Sequence, residues 1–174
     1  VPQGDTICDG DDAVFTFTSP TVPTRWMEFN IQAIADNPGS VFGYSGVNDY
    51  RVDSTLRQTL TNVSDSAQRV RYVLTPYNIN SLGSQDCMGI RDTVYIWVEA
   101  GPSVMDGTQG DTICDGDDAV FTFTSPTVPT RWMEFNIQAI ADNPGSVFGY
   151  SGGNDYRFDS TLRQTLTNAS DSAH

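Results

Sequence analysis

Apolar and polar residues alternate with a period of two in short stretches along the whole chain. In residues 14–18 two phenylalanines fall on one face, and in residues 26–33 Met27, Phe29 and Ile31 alternate with polar neighbours. Because successive side chains of a β-strand point to opposite faces of a sheet, these stretches predict strands that are buried on one side. The second stretch is long enough to predict a central strand.

Further stretches with the same character complete the predicted set, separated by clusters of Pro, Gly, Asn, Asp and Ser. No stretch repeats its apolar residues with a helical period. Short alternating strands within about 100 residues predict an all-β, immunoglobulin-like Greek-key β-sandwich, with a jelly roll or a small barrel as alternatives. These further strands are predicted at residues 41–44, 55–60, 70–74 and 93–98.

One block of sequence occurs twice in the chain. Residues 3–67 recur at 109–173, which gives a repeat period of 106 residues. A period of this length is too long for one turn of a solenoid and fits an independent β-sandwich domain, so the sequence predicts a tandem repeat. The two copies differ only where Val47 becomes Gly153, Val52 becomes Phe158 and Val63 becomes Ala169.

A segment rich in Gly, Pro and Ser follows the predicted strand at 93–98 and precedes the second copy of the block. Such residues interrupt regular structure, so the segment predicts a linker. We therefore assign residues 1–101 to a complete repeat, residues 102–108 to the linker and residues 109–174 to the N-terminal part of a truncated second repeat. We expect the chain to be a piece of a longer array.

The second repeat lacks counterparts of the strands predicted at 70–74 and 93–98. Its apolar residues Phe121, Phe123, Met133 and Phe135 are therefore expected to face water. Either the chain beyond the linker is disordered, or strands from another copy of the chain complete the second repeat by strand addition or domain swapping.

The charge of the chain is strongly negative. It has 22 acidic and 9 basic residues, a formal net charge of -13, and all of its basic residues are arginine. This charge repels polyanions, which disfavours nucleic-acid binding and docking on anionic lipid, and no apolar run is long enough for membrane insertion. The remaining candidate partners are cations, neighbouring repeats of the same chain and surface polysaccharide.

Three cysteines fall at two positions of the repeat. Cys8 and Cys114 are equivalent, and Cys87 lies in the part that the second copy lacks. The simplest pairing in an extracellular protein is a disulfide between Cys8 and Cys87, which leaves Cys114 unpaired. Three free thiols in a reducing compartment are the alternative, and a metal site is disfavoured because no CxxC pair or internal histidine is present.

Two polar segments hold candidate ligand-binding residues. The acidic turn formed by Asp9, Asp11 and Asp12 could supply oxygen ligands to calcium, although it lacks the pattern of an EF-hand and also fits a turn closed by its own side chains. The second copy repeats it as Asp115, Asp117 and Asp118.

The second polar segment contains Asn48, Asp49 and Tyr50. An aromatic ring beside carboxamide and carboxylate groups is typical equipment for glycan contact. A solvated hairpin with Tyr50 packed on the sheet explains the same residues.

Catalysis is disfavoured by the residue types that the repeats contain. Neither repeat has an internal histidine, since the sole histidine is His174, and the chain has no lysine. Acid–base triads and Schiff-base chemistry are therefore excluded inside the repeats. We expect no catalytic residue and no cofactor other than calcium.

Six short motifs together resemble the PKD-like repeats of large surface proteins of the Bacteroidota, including the giant mobile adhesins that such bacteria use for gliding. The strongest part is the order of two Cys-containing turns around a Tyr-x-x-Thr-Pro strand. The motifs are CDGDDAVFTF at 8–17, TRWM at 24–27, LTN at 60–62, VRYVLTP at 70–76, CMG at 87–89 and TVYIWV at 93–98.

This resemblance implies an immunoglobulin-like sandwich, export by the type IX route and an extracellular, cell-surface location. It also implies a structural and adhesive role, in which many repeats extend a stalk and contribute to attachment or gliding. A carbohydrate-binding module and the appended sandwich of a secreted hydrolase are the alternatives. The family further implies O-glycosylation at Asp-Ser/Thr triplets, for which Thr6, Ser54, Ser66 and Thr93 are the candidates.

Overall fold

β-Strands make up all the regular secondary structure of the residues that the computed structural model describes, which are 4–21, 25–105, 112–130 and 132–171. The chain divides into two compact units, Val1–Gly101 (unit 1) and Pro102–His174 (unit 2). The predicted all-β fold class is therefore confirmed. Residues 106–111, which include the end of the predicted linker and the start of the predicted second repeat, lie outside the described residues.

Unit 1 contains ten strands with the following bounds. They are β1 (Gly4–Ile7), β2 (Asp12–Thr16), β3 (Met27–Ala35), β4 (Val41–Phe42), β5 (Val47–Arg51), β6 (Thr55–Thr59), β7 (Thr61–Asn62), β8 (Gln68–Ile79), β9 (Gln85–Met88) and β10 (Asp92–Val98).

The strands of unit 1 form two layers. The larger sheet has the order β1-β10-β8-β3-β5, with β9 also paired to β8, and the opposite layer consists of the pairs β2–β6 and β4–β7. Strand β1 runs parallel to β10, whereas the other pairs are antiparallel. Because strands that are neighbours in space are distant in sequence, this is the Greek-key arrangement of an immunoglobulin-like sandwich, as predicted.

The core of unit 1 lies between the two layers. Tyr72 of β8 is fully buried, and its ring centroid lies 4.6 Å from that of Phe15. On the neighbouring strand, Phe29 lies 5.6 Å from Phe17, again measured between ring centroids. The alternating residues of β2 and β3 thus point into the core, as their sequence pattern predicts.

Strand β8 is much longer than the stretch predicted at 70–74, because it continues through Pro76 to Ile79. Proline lacks a backbone N–H and usually ends a central strand. Here the ladder between β8 and β10 ends at Leu74, so Pro76 lies beyond it, remains in register with β3 and accepts a hydrogen bond of 2.8 Å from Gly89 N through its carbonyl. Strands β1, β5, β7 and β9 are further differences from the prediction.

Gly43 makes the tight corner between β4 and β5 in unit 1. Its φ is 88°, and a Cβ atom there would collide with the carbonyl oxygen of Thr59. Only glycine avoids both the left-handed backbone strain and this collision. Gly149 has the same conformation and the same close neighbour, Thr165, in unit 2.

Unit 2 repeats the first half of this architecture. Its pairs β11–β15, β12–β14 and β13–β16 match the registers of β2–β6, β3–β5 and β4–β7 in unit 1. The strands are β11 (Asp118–Thr122), β12 (Glu134–Ile137), β13 (Val147–Phe148), β14 (Gly153–Arg157), β15 (Thr161–Thr165) and β16 (Thr167–Asn168).

Residues 102–105, which the sequence assigned to the linker, are attached to unit 2. Met105 N donates to Thr124 O over 3.1 Å, and Ser103 N donates to Thr127 Oγ1 over 3.2 Å. The hydroxyl of Ser125 also donates to the carbonyl of Ser103. The part of the linker that the structure describes is therefore part of a folded unit.

Candidate functional site

The first two acidic residues of the predicted calcium turn hold its backbone in place. Asp9 Oδ1 accepts a hydrogen bond of 2.8 Å from Asn62 N, and Asp11 Oδ2 accepts one of 3.4 Å from Cys8 N. Gly10 between them has a φ of 81°. Asp11 thus closes the turn on itself, whereas Asp9 fastens it to strand β7.

The third acidic residue, Asp12, bonds to the neighbouring strand β6. Its carboxylate accepts from Thr59 Oγ1 and from Arg57 Nη1, both over 2.6 Å. These two hydrogen bonds lower the pKa of Asp12 below its ordinary value, and the bond from Thr59 has the larger effect. The same contacts lower the pKa of Asp118 in unit 2, through Thr165 and Arg163.

The carboxylates of these turns do not converge. Asp9, Asp11 and Asp12 each contact a different partner, and the equivalent residues of unit 2 do the same. Over residues 4–21, 25–105, 112–130 and 132–171, no group of three or more His, Cys, Asp or Glu side chains is arranged to hold a metal ion.

The polar segment around Tyr50 belongs to strand β5. The hydroxyl of Tyr50 donates to Thr55 O over 2.6 Å, and its ring meets Phe17 edge-on with 5.8 Å between the centroids. Asp49 Oδ1 accepts from Gln85 Nε2 over 2.7 Å, while Asn48 is exposed. Tyr50 therefore packs on the core in the way that the hairpin alternative requires, and its ring is not presented as a platform for a sugar.

The disulfide predicted between Cys8 and Cys87 is not formed, and both thiols are free and exposed, as is Cys114. Cys8 directly follows Ile7, which lies beside Val98 of β10 and so level with Gln68 at the start of β8. Cys87 lies near Tyr77, toward the other end of β8. At about 3.3 Å per residue, roughly 30 Å of strand separates Gln68 from Tyr77, while a disulfide needs Cα atoms about 4.4–6.8 Å apart.

The candidate O-glycosylation residues differ in accessibility. Thr6 and Ser66 are exposed, and Ser54 and Thr93 are half-buried. Thr6 lies on β1, which is the edge strand of the larger sheet. Among the four, Thr6 and Ser66 are therefore the accessible hydroxyls.

An aromatic and arginine cluster on the larger sheet of unit 1 was not predicted from the sequence. The guanidinium of Arg69 lies 5.2 Å from the ring centre of Tyr95 and 5.5 Å from that of Trp97. Asp36 accepts from Arg69 Nε over 2.8 Å and also pairs with Arg71. The alternation of Tyr95 and Trp97 along β10 is the sequence signal that points to this face, but the register with β8 is what places Arg69 over them.

The inner face of unit 2 is more exposed than that of unit 1. Phe121 is 45% exposed, whereas its counterpart Phe15 in unit 1 is 8% exposed. The prediction that this face meets water is correct for Phe121 and wrong for Met133 and Phe135, which are buried, while Phe123 is half-buried.

The cover over those two residues comes from within unit 2. Phe135 packs on Phe123 with 5.8 Å between ring centroids, and Met133 O accepts from Phe158 N of the segment after β14. The described part of unit 2 thus keeps its strands, and residues 112–130 and 132–171 do not show the predicted disorder. In the part of unit 2 that the structure describes, the inner face is open at Phe121.

The polar groups that meet β8 in unit 1 are also present in unit 2. In unit 1, Gln58 Oε1 accepts from the Tyr72 hydroxyl over 2.8 Å and from Ser45 N over 3.1 Å. Gln164 Oε1 of unit 2 accepts from Ser151 N over the same 3.1 Å, and the chain contains no counterpart of Tyr72. Gln164 thus keeps the geometry that would receive a tyrosine hydroxyl.

Comparisons with known proteins do not place the chain in a known family. No protein-family model matches the chain, and no curated protein is significantly similar to it. A solved chaperone–tip adhesin complex described as vital for activation of CFA/I fimbriae biogenesis is 9% identical, covers 93% of this chain and 82% of its own, and has a TM-score of 0.34. The class 5 fimbriae chaperone CfaA is also 9% identical, covers 96% and 82% respectively, and has a TM-score of 0.37.

Both TM-scores are too low to support an argument about what this chain does.

No helix that could cross a membrane occurs in the part of the chain that the structure describes.

Proposed function

We propose that the chain is a structural and adhesive repeat of a long, secreted cell-surface protein, and that it has no catalytic activity of its own. The observation that carries this proposal is the near-identical recurrence of residues 3–67 at 109–173. Copies that differ at so few positions favour repeated structural use, because a division of catalytic roles would require them to diverge.

The topology of unit 1 supports a role in a linear array. Its first strand β1 and its last strand β10 run parallel, with Gly4 opposite Tyr95 and Ile7 opposite Val98. The chain therefore runs in the same direction along the first and the last strand of unit 1. Domains with this property extend a stalk when they are joined in series, and weak contacts along the stalk add through avidity.

The charge of the chain supports an extended array in a second way. A net charge of -13 makes neighbouring acidic repeats repel each other over a distance set by the salt concentration. Such repulsion opposes collapse of the array. The proposal also includes what the resemblance to PKD-like repeats implies, namely export by the type IX route and a part in gliding.

The test exchanges the repeats in cells that display the parent protein. One strain carries an array in which the repeats are replaced by an unrelated immunoglobulin-like spacer of equal length, and a second strain carries a shortened array. Attachment under flow should fall only partly with the spacer of equal length, which keeps the reach of the stalk but loses its weak contacts, and should fall most with the shortened array. Full attachment by the shortened array would contradict the proposal.

A glycan array probed with the purified chain distinguishes the stalk proposal from its principal alternative, a carbohydrate-binding module. A carbohydrate-binding module should give one sharp specificity, which a spacer of equal length could not replace. The stalk proposal expects no such specificity. Loss of attachment with the spacer, together with one specific glycan, would favour the alternative.

A further inference from the structure

One residue at the start of unit 2, Ser103, is held at three polar groups by two side chains that follow β11. Its N–H donates to Thr127 Oγ1 over 3.2 Å, and its hydroxyl oxygen lies 3.1 Å from the same atom. Its carbonyl accepts from the hydroxyl of Ser125. Because the backbone donor and the backbone acceptor of Ser103 both bond to side chains, its position depends on these two hydroxyl residues.

The two side chains that hold Ser103 are fixed in position. Thr127 is 3% exposed, and its N–H donates to Ser125 Oγ over 3.0 Å. A buried hydroxyl favours hydrogen bonds within the protein, because it has little access to water. Farther along the segment, Met105 N donates to Thr124 O over 3.1 Å. The segment 103–105 is therefore held at both of its ends.

The connection between the two units is short while this segment is held. After β10, Glu99 N donates to Ile7 O of unit 1 over 2.9 Å, and Ser103 is already bonded within unit 2. Only residues 100–102 lie between these two positions in the sequence. Release of residues 103–105 would add roughly 10 Å of extended chain to the connection, at about 3.3–3.6 Å per residue.

We propose that residues 103–105 form a latch, held by Ser125 and Thr127, that opens as one unit and sets the free length of the connection between the repeats. When the latch is closed, residues 100–102 form the connection. When it opens, the connection lengthens while the strands of unit 2 stay folded. This inference goes beyond the adhesive role of the repeats and does not depend on it.

Unit 1 contains the matched control for the side chains that hold the latch. Ser19 and Thr21 occupy the positions of Ser125 and Thr127, and Thr21 N donates to Ser19 Oγ over 3.1 Å. The pair in unit 1 thus makes the same local contact but takes no part in the latch. The double variant Ser125→Ala/Thr127→Val removes the local contact and the latch contacts, whereas Ser19→Ala/Thr21→Val removes the local contact alone.

Hydrogen exchange of the 174-residue chain tests whether the latch opens as one unit. The amide of Met105 donates to a backbone carbonyl that the double variant in unit 2 leaves intact, so its exchange reports opening of the whole segment. Met105 should exchange about tenfold faster or more in this variant, because several hydrogen bonds that hold the segment are lost. Residues 161–165 of β15 should keep their exchange rates.

The double variant in unit 1 should leave the exchange of Met105 unchanged. If the double variant in unit 2 also loses protection in β15, Ser125→Ala alone provides the comparison, because it removes a single contact to Ser103. Met105 should then exchange faster while β15 remains protected.

Spin labels on Cys8 and Cys114 test the length of the connection. Both thiols are exposed, and a Cys87→Ser background leaves one label on each unit. Ser125→Ala/Thr127→Val should broaden the distribution of distances between the labels, because it lengthens the connection. The double variant in unit 1 should leave the width of the distribution unchanged.

Three results would overturn the proposal. They are unchanged exchange of Met105 when the contacts to Ser103 are removed, equal effects of the two double variants, and an unchanged distance distribution. None of them affects the attachment experiment, so failure of the latch is distinguishable from failure of the stalk function.

Discussion

Units 1 and 2 share almost the same sequence over 65 aligned positions. Yet one phenylalanine of the repeat is buried as Phe15 in unit 1 and exposed as Phe121 in unit 2. The strand registers of the shared part are identical, as in the pairing of Phe15 with Leu56 and of Phe121 with Leu162. Their burial differs, because β8 and β10 cover Phe15, whereas no equivalent strand covers Phe121 among the described residues of unit 2. Local sequence therefore determines the hairpins and turns, whereas distant strands determine the core.

The largest expected effect lies at this pair of phenylalanines. Phe15→Ala should lower the free energy of unfolding of unit 1 by about 3–5 kcal/mol, the usual cost of removing a buried aromatic side chain. Phe121→Ala should cost unit 2 much less, because its ring is already 45% exposed. Denaturant titration followed by hydrogen exchange resolves the two units, and equal losses would contradict the difference in burial.

The glycine corners should instead respond alike. Gly43→Ala and Gly149→Ala both place a Cβ against a threonine carbonyl in a left-handed backbone conformation. Each should destabilise its own unit by more than about 1 kcal/mol. Gly39, where a Cβ meets no neighbour, is the matched control position. A large effect in one unit only would show that the shared registers do not reflect shared local structure.

Tyr72 should make only unit 1 sensitive to alkali. Burial raises the pKa of Tyr72 above its usual value of 10.0. The folded state therefore keeps the proton where the unfolded state loses it, and stability is complete below about pH 10 and falls as the pH rises further. Tyr72→Phe should flatten this alkaline decline, at a cost near neutral pH of about 1 kcal/mol for the lost hydrogen bond.

Unfolding of unit 1 between pH 7 and 11.5 measures this effect. Unit 2, which has no counterpart of Tyr72, is the internal control. The same alkaline decline in the Tyr72→Phe chain would show that another group is responsible.

The smallest effect is expected at the exposed carboxylates. The hydrogen bonds from Thr59 and Arg57 lower the pKa of Asp12, so its contribution to stability is present above its unfolded pKa and is lost as the pH falls through the folded value. Asp12→Asn should slightly lower the midpoint of thermal unfolding at pH 7, and the difference should disappear in acid. Asp118→Asn should act in the same direction on unit 2. A difference that grows in acid would have the wrong sign.

The sequence predicted the strands whose side chains alternate between core and solvent. Residues 26–33 show this clearly, because Met27, Phe29 and Ile31 all point into the core of unit 1. The two-layered immunoglobulin-like architecture followed from such strands and from the repeat period. These features are local, or are repeated in the chain, so the sequence records them directly.

The pairing of distant residues was not predictable in the same way. Two cysteines in one repeat predict a disulfide, but the distance between them depends on the strand pairing, which places them near opposite ends of β8. The sequence makes Tyr50 a candidate for glycan contact, whereas in the structure its hydroxyl donates to Thr55 O and its ring packs against Phe17. The strand β9, which brings Gln85 to Asp49, has no strong alternation of its own.

Hydrogen exchange of β3 and β12 tests the central claim most directly, namely that the same sequence is closed in unit 1 and open in unit 2. Residues 28–31 should be strongly protected, because this part of β3 is paired on both edges. Residues 134–137 should exchange far faster along the free edge of β12. Equal and strong protection of both segments in the chain alone would contradict the account.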